Sequence, residues 1–218
     1  MIITYLGAES CKIQFGDTTI ACNPVSKESK LKQAKYGSDI VMVTAHNPDF
    51  NGIEQVTHGE RTPFVIDGPG EYEVKGVFIK GLPSVTNYSK NGTKGEEKIN
   101  TIYTITLESM NICFLGAISS PELKSQTIEE LDEIDVLFVP IGGDGVLDPR
   151  QAYRLAVSLE PKIIIPIHYG EIGTEDALKV FLKEAGEKNP QTVAKLTLKR
   201  KDLEGKNASV VVLESSKE

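Results

Sequence analysis

Three short apolar segments constrain this chain most: Ile40–Val43, Val136–Pro140 and Lys162–Ile167. Each is too short for a core helix and rich in β-branched residues, so each reads as a strand buried on both faces. Such strands need cover, and the second half supplies it. Leu123 to Ile134 is amphipathic. Asp148 stands as an N-cap before Pro149, and Ala152, Leu155, Ala156 and Leu159 then recur at spacings of three and four. Thr174 is positioned to cap a third helix, whose stripe of Leu178, Phe181, Leu182 and Ala185 ends at Gly186. The first half is richer in strands: Ile2–Leu6, Lys12–Phe15 and Thr19–Cys22 precede a lysine-rich connection, and Phe64–Ile66, Glu71–Val74 and Val77–Lys80 follow. Gly68-Pro69-Gly70 is a turn between two of these. Asn87 to Lys98, almost without apolar residues, reads as a surface loop before a hairpin of Ile99–Leu107 and Asn111–Leu115. This order predicts an α/β (α+β) architecture of two packed mixed sheets with helices outside. No linker divides it, so a single domain over 1–218 is expected.

Composition narrows the function classes. The chain of 218 residues is 39% hydrophobic and 25% charged, enough for a sizeable core. Its formal net charge of −7, with lysines and glutamates interspersed, argues against a nucleic-acid partner. The basic run Lys195, Lys199, Arg200, Lys201 and Lys206 reads as a solvated edge. No signal core and no apolar run near the ~20 residues of a membrane helix is present, so a cytoplasmic protein without a membrane partner is expected. Cys11, Cys22 and Cys113 are odd in number, widely spaced and set among apolar neighbours, which predicts free buried thiols.

Thr44-Ala45-His46-Asn47-Pro48-Asp49-Phe50-Asn51-Gly52 leaves the Ile40–Val43 strand at one end of a sheet, where side chains can converge. The segment resembles the loop of the metallo-β-lactamase-fold hydrolases that reads Thr-His-x-His-x-Asp-His and binds one or two zinc ions. Ala45, Asn47 and Phe50 stand at the histidine places, and Asp49 is kept. The resemblance runs in order through the chain. Ile2–Ala8 is similar to the family's opening strand, where a histidine commonly follows the glycine, and Ile20–Pro24 to its next motif, usually ending Asp-Pro. Gly81–Asn87 is similar to a segment donating a further histidine, with Thr86 and Asn87 in the ligand places. Phe114-Leu115-Gly116-Ala117 resembles a Leu-Gly-Asp turn whose aspartate bridges the metals, with Ala117 in its place. Ile163–Gly170 is close to the last ligand motif, and His168 remains. The nearest subgroup is that of the small ascorbate-phosphate-lactonase-like hydrolases. The resemblance implies a four-layer αββα sandwich with vestigial metal-site positions at Ala45, Asn47, Asp49, Phe50, Thr86, Ala117 and His168.

Composition independently excludes the ordinary dinuclear site, because the chain has only three histidines: His46, His58 and His168. Zinc takes roughly four nitrogen or sulfur ligands in a closed site, or about three plus water in a catalytic one. No bound metal or other cofactor is therefore expected. Asp49 and His168 are the candidate catalytic residues, expected to lie near each other with Ala45, Asn47, Phe50, Thr86 and Ala117 around them and Phe50 filling the old metal volume. Asp49 also suits bonding to loop amides, and His168 suits a strand-end hydrogen bond. His46 is expected to point away, His58 to be exposed, and Gly142-Gly143-Asp144-Gly145 lacks the lysine and hydroxyl of a nucleotide loop. The leading expectation is a non-catalytic protein with a binding or assembly role. The alternative is a zinc-dependent hydrolase with a reduced site using Asp49 and His168, with His46 as a further candidate; a metal-free acid–base pair of Asp49 and His168 is a third reading. Substrate, partner and self-association into a homo-oligomer stay open.

Overall fold

The computed structural model describes residues 1–60, 62–89, 93–131 and 133–216. Its strands in chain order are β1 (Ile2–Gly7), β2 (Ser10–Phe15), β3 (Thr18–Cys22), β4 (Ile40–Met42), β5 (Phe64–Ile66), β6 (Gly70–Val74), β7 (Val77–Ser89), β8 (Thr93–Leu107), β9 (Met110–Phe114), β10 (Val136–Pro140), β11 (Ile163–Ile167), β12 (Gln191–Val193), β13 (Leu196–Thr197) and β14 (Ser209–Leu213). The helices are α1 (Ser125–Glu130), α2 (Pro149–Ser158) and α3 (Ala177–Glu184).

The strands form two mixed sheets. One runs β13-β1-β2-β3-β4-β5 and the other β12-β14-β11-β10-β9-β8-β7-β6. The apolar segments behave as their composition requires: every residue of β4, β10 and β11 is buried. These strands pair in parallel with their neighbours, β4 with β3 and β5, and β10 with β9 and β11. The sheets face each other across a shared core, with Ile3, Ile13, Ile20 and Met42 from one and Ile79, Tyr103, Phe138 and Ile165 from the other. Beneath the second sheet, Leu137, Val139 and Ile164 pack on Ala152, Leu155 and Phe181 of α2 and α3. The outer face of the first sheet carries Ala21, Val41 and Val43, covered by Val56, Tyr36 and Ile53 from irregular chain and a short 3-10 turn. The architecture is the four-layer sandwich of two mixed sheets, with one outer layer thin in helix.

Three expectations about elements fail. The expected surface loop from Asn87 to Lys98 is mostly a hairpin: β7 and β8 stay paired beyond Thr86↔Lys98 to Tyr88↔Lys94 and Ser89↔Thr93. Backbone pairing needs no apolar side chains, so composition hid it; residues 90–92 lie outside the described residues. The amphipathic segment Leu123 to Ile134 forms only the six-residue α1. Its chain must turn into β10, and Glu133 at φ 48° ends the helical path, while buried Asp135 accepts from the Asn111 amide at 2.8 Å and pairs with Lys162 at 2.6 Å. The third helix starts after Asp176, not Thr174, whose amide bonds the Gly142 carbonyl at 2.8 Å.

Helix α2 begins as its sequence dictates. Asp148 Oδ1 accepts from the amides of Arg150 and Gln151 at 2.9 and 3.0 Å, and Gln151 Oε1 accepts from the Asp148 amide at 3.3 Å. Asp148→Ala removes this cap and is expected to cost about 1 kcal/mol, read as a lower urea midpoint at unchanged slope.

Candidate functional site

The loop after β4 is fixed from both sides. Gly52 packs so tightly that a Cβ there would lie 2.4 Å from the Val25 carbonyl oxygen. Asn47 Oδ1 accepts from the Asp49 amide at 3.0 Å, and the Phe50 amide donates to the Asn47 carbonyl at 2.8 Å, a tight side-chain-supported turn. On the facing side, Gly116 at φ 61° lies against Thr44, with room for no Cβ. Buried Asn100 clamps the neighbouring segments: it donates to Ser84 Oγ at 2.7 Å and to the Leu115 carbonyl at 2.9 Å, and accepts from the Ala117 amide at 3.0 Å. His168 follows β11 with φ 62°, its amide bonded to the Ala8 carbonyl at 2.6 Å.

These segments bring the candidate residues to one place, arranged around a side chain that the sequence reading passed over. Tyr88 is buried, and its hydroxyl donates to Asp49 Oδ2 at 2.8 Å. Its ring meets the His168 ring edge-on, with centroids 5.0 Å apart and planes at 87°. Asp49 and His168 thus contact the same tyrosine from two sides. Phe50 completes the filling, 4.8 Å from Tyr88 and 6.1 Å from His168 by ring centroids. Phe50 and Tyr88 form one buried apolar cluster with Ala45, Ala117 and Val146. Asn47 and Thr86 sit buried beside it, Thr86 Oγ1 accepting from the Tyr88 amide at 3.0 Å. His46 turns outward, its side chain 73% exposed and 4.0 Å from Asp67, and His58 is exposed.

Glu9 is the other residue that sequence reasoning missed. It is fully buried, with Oε1 2.6 Å from His168 Nδ1 and Oε2 accepting from Asn23 Nδ2 at 2.8 Å. Asn23 also donates to Thr44 Oγ1 and accepts from the Thr44 amide, both at 2.8 Å. A proton on His168 Nδ1 serves Glu9, leaving Nε2 as a buried nitrogen without a partner among the described residues. Nothing local marks Glu9 in the sequence, since the same hairpin also carries Lys12, Gln14 and Asp17 and its partner His168 lies 159 residues away. Nearby groups stay neutral: burial, reinforced by Tyr169, Cys11 and Glu9, pushes the Tyr5 phenol up, and burial, then Cys22 and Glu9, does the same to the Cys11 thiol. The glycine-rich turn proves to be packing: a Cβ on Gly142 would lie 2.5 Å from His168 Cδ2, and one on Gly145 would lie 2.8 Å from the Tyr88 Cα.

Among the described residues no three His, Cys, Asp or Glu side chains gather to hold a metal. The groups at hand do not fit one. Both Asp49 oxygens accept hydroxyl hydrogen bonds, Oδ1 from Ser29 and Oδ2 from Tyr88. His168 has one nitrogen committed to Glu9, and rings of Tyr88 and Phe50 lie against it. Tyr88→Phe leaves buried Asp49 short of one donor and is expected to destabilise the fold by about 1–3 kcal/mol in urea unfolding. Stability equal to the wild type would show that the Tyr88–Asp49 bond contributes nothing.

Comparison with known proteins bears on the family and the fold. Residues 2–168 match the family described as the beta-lactamase superfamily domain. A metal-dependent hydrolase of Listeria welshimeri is 25% identical over 195 residues, spanning 78% of this chain and 85% of the relative. One from Anoxybacillus flavithermus is 26% identical over 197 residues, spanning 78% and 86%. Among solved structures, a protein described as a Zn-dependent hydrolase of the metallo-beta-lactamase superfamily, from Thermotoga maritima, superposes with a TM-score of 0.73 at 28% identity over 98% of each chain. A metallo hydrolase from Ignicoccus hospitalis superposes with a TM-score of 0.63 at 20% identity over 99% and 96% of the two chains, a likeness of fold alone.

Proposed function

Since this chain belongs to the metallo-β-lactamase superfamily, we propose that it is a non-catalytic member, holding no resident zinc and working through binding or assembly. The observation that carries this reading is Tyr88: its phenol occupies Asp49, its ring lies on His168, and with Phe50 it fills the space between them. A bound metal lowers the pKa of water from ~15.7 to about 7. Without one, hydroxide at neutral pH has no source here. Neither Asp49 nor His168 replaces it, because each is buried and held by protein groups. Hydrolysis of lactones and phosphodiesters is expected at background. Turnover lost in both Asp49→Ala and His168→Ala would overturn the proposal.

One observation favours a second reading. His168 Nε2 is buried and has no partner among the described residues, and Glu9 orients the ring as carboxylates orient metal-bound histidines. A hydrolase with a reduced site would use this nitrogen and Asp49 after Tyr88 moved aside, in keeping with relatives named metal-dependent hydrolases. Metal content separates the two. The non-catalytic reading expects clearly less than one zinc per purified chain, and stoichiometric zinc would favour the reduced site. A rebuilt variant carrying Ala45→His, Asn47→His, Phe50→His, Thr86→His and Ala117→Asp, with Tyr88→Ala to clear the centre, is expected to bind zinc. It should gain thermal stability on zinc addition, since a ligand that binds only the folded state stabilises it. A folded variant without zinc affinity would show that these positions do not converge on an ion.

A further inference from the structure

The mouth of the filled site is a pocket of ≈ 290 Å³ that the packing of Tyr88 and Phe50 leaves open to solvent. We infer that it binds a small aromatic carboxylate, a reading that rests on the binding role proposed above and gives it a ligand class. Two features of the lining support this chemistry. One wall is apolar, made by Ala45, Phe50, Tyr88 and Ile99. Ile99 is 69% exposed, a large apolar side chain in water at the pocket's lip that an apolar ligand would cover.

No carboxylate lines the pocket, and Lys98 and Asn47 bring hydrogen-bond donors to it. Lys98 makes no ion pair among the described residues, so its ammonium is available to an anion. Asn47 has its Oδ1 engaged by the Asp49 amide, which leaves its NH₂ group to offer. His46 stands at the rim with Asp67 4.0 Å away. An apolar wall beside a lysine and an amide donor selects a flat apolar body with one negative end. The volume leaves room for a single ring with its carboxylate.

Sodium benzoate is the probe, with benzyl alcohol and acetate as the uncharged and ring-free comparisons, titrated into the full chain by calorimetry and amide NMR. Benzoate is expected to bind with a Kd of about 1 mM, shifting the amides of Ala45, Thr86 and Ile99, and both comparisons about tenfold more weakly. Lys98→Met should weaken benzoate about tenfold, Lys98→Arg should restore it, and Ile99→Asp should abolish it. Equal binding of benzoate and benzyl alcohol, insensitivity to Lys98→Met, shifts confined elsewhere, or no binding up to about 10 mM would each overturn the inference. Zinc content and hydrolysis measured on the same preparation keep the two readings apart. Zinc-free, inert protein that ignores benzoate sinks the pocket alone, and zinc-loaded, active protein that binds benzoate sinks the non-catalytic reading alone.

Discussion

The contact between Glu9 and His168, 2.6 Å long with both side chains fully buried, is the constraint on which the site end of the molecule depends. Burying a carboxyl group is costly unless its oxygens find hydrogen-bond partners, and only a complete set makes that burial tolerable. Glu9 has that set, His168 on one oxygen and Asn23 on the other. Meeting it imposes backbone geometry: Ala8, Asn23 and His168 adopt φ of 51°, 44° and 62°, a region that side chains other than glycine seldom occupy. From Asn23 the network passes to Thr44, whose carbonyl accepts from the Thr101 amide at 2.8 Å. The turn after β1, the loop after β4, strand β8 and the end of β11 are thereby tied together. Because β1 and β11 belong to different sheets, the pair also sets how the sheets meet.

That frame has the shape of a metal-binding scaffold with an aromatic interior. A cluster of histidines around zinc is held in place by metal bonds; once the ligands are gone, an empty polar cavity would hold water or collapse. Phe50 and Tyr88 occupy that space, and burying each aromatic side chain contributes about 1.5–3 kcal/mol. Tyr88 also supplies the hydroxyl that a retained, buried Asp49 requires. The residue sizes in this cluster make physical sense together: small Ala45 and Ala117 make room for the rings of Phe50 and Tyr88.

The parts of the fold legible in the sequence were those where burial or capping dictates residue type. Strands β4, β10 and β11 have nothing but apolar neighbours and show it as unbroken apolar segments. Helix α2 announces itself through Asp148 and Pro149 because unpaired amides at a helix start need an acceptor. The far end of the β7–β8 hairpin gave no such sign, since main-chain pairing holds it and its side chains largely face water. The positions that meet around Tyr88 were legible from motif order. Glu9 and Tyr88 were not, because neither stands at a ligand position, and their importance comes from tertiary neighbours distant in sequence.

The β7–β8 hairpin therefore links the filled centre to its open mouth. Between Thr86↔Lys98 and Tyr88↔Lys94 the register shifts, β8 using more residues than β7 over the same span. Such a bulge bends and twists a hairpin. Here Thr86 and Tyr88 face inward from β7, while Lys98 and Ile99 of β8 stand at the lip of the pocket. Any movement of this hairpin would change two things at once: the shielding of Asp49 and His168, and the shape of the pocket beside them. A ligand seated against Lys98 and Ile99 would hold the hairpin closed and keep Tyr88 in place. Under the proposed function, binding at the mouth and catalytic silence at the centre would be two consequences of one element.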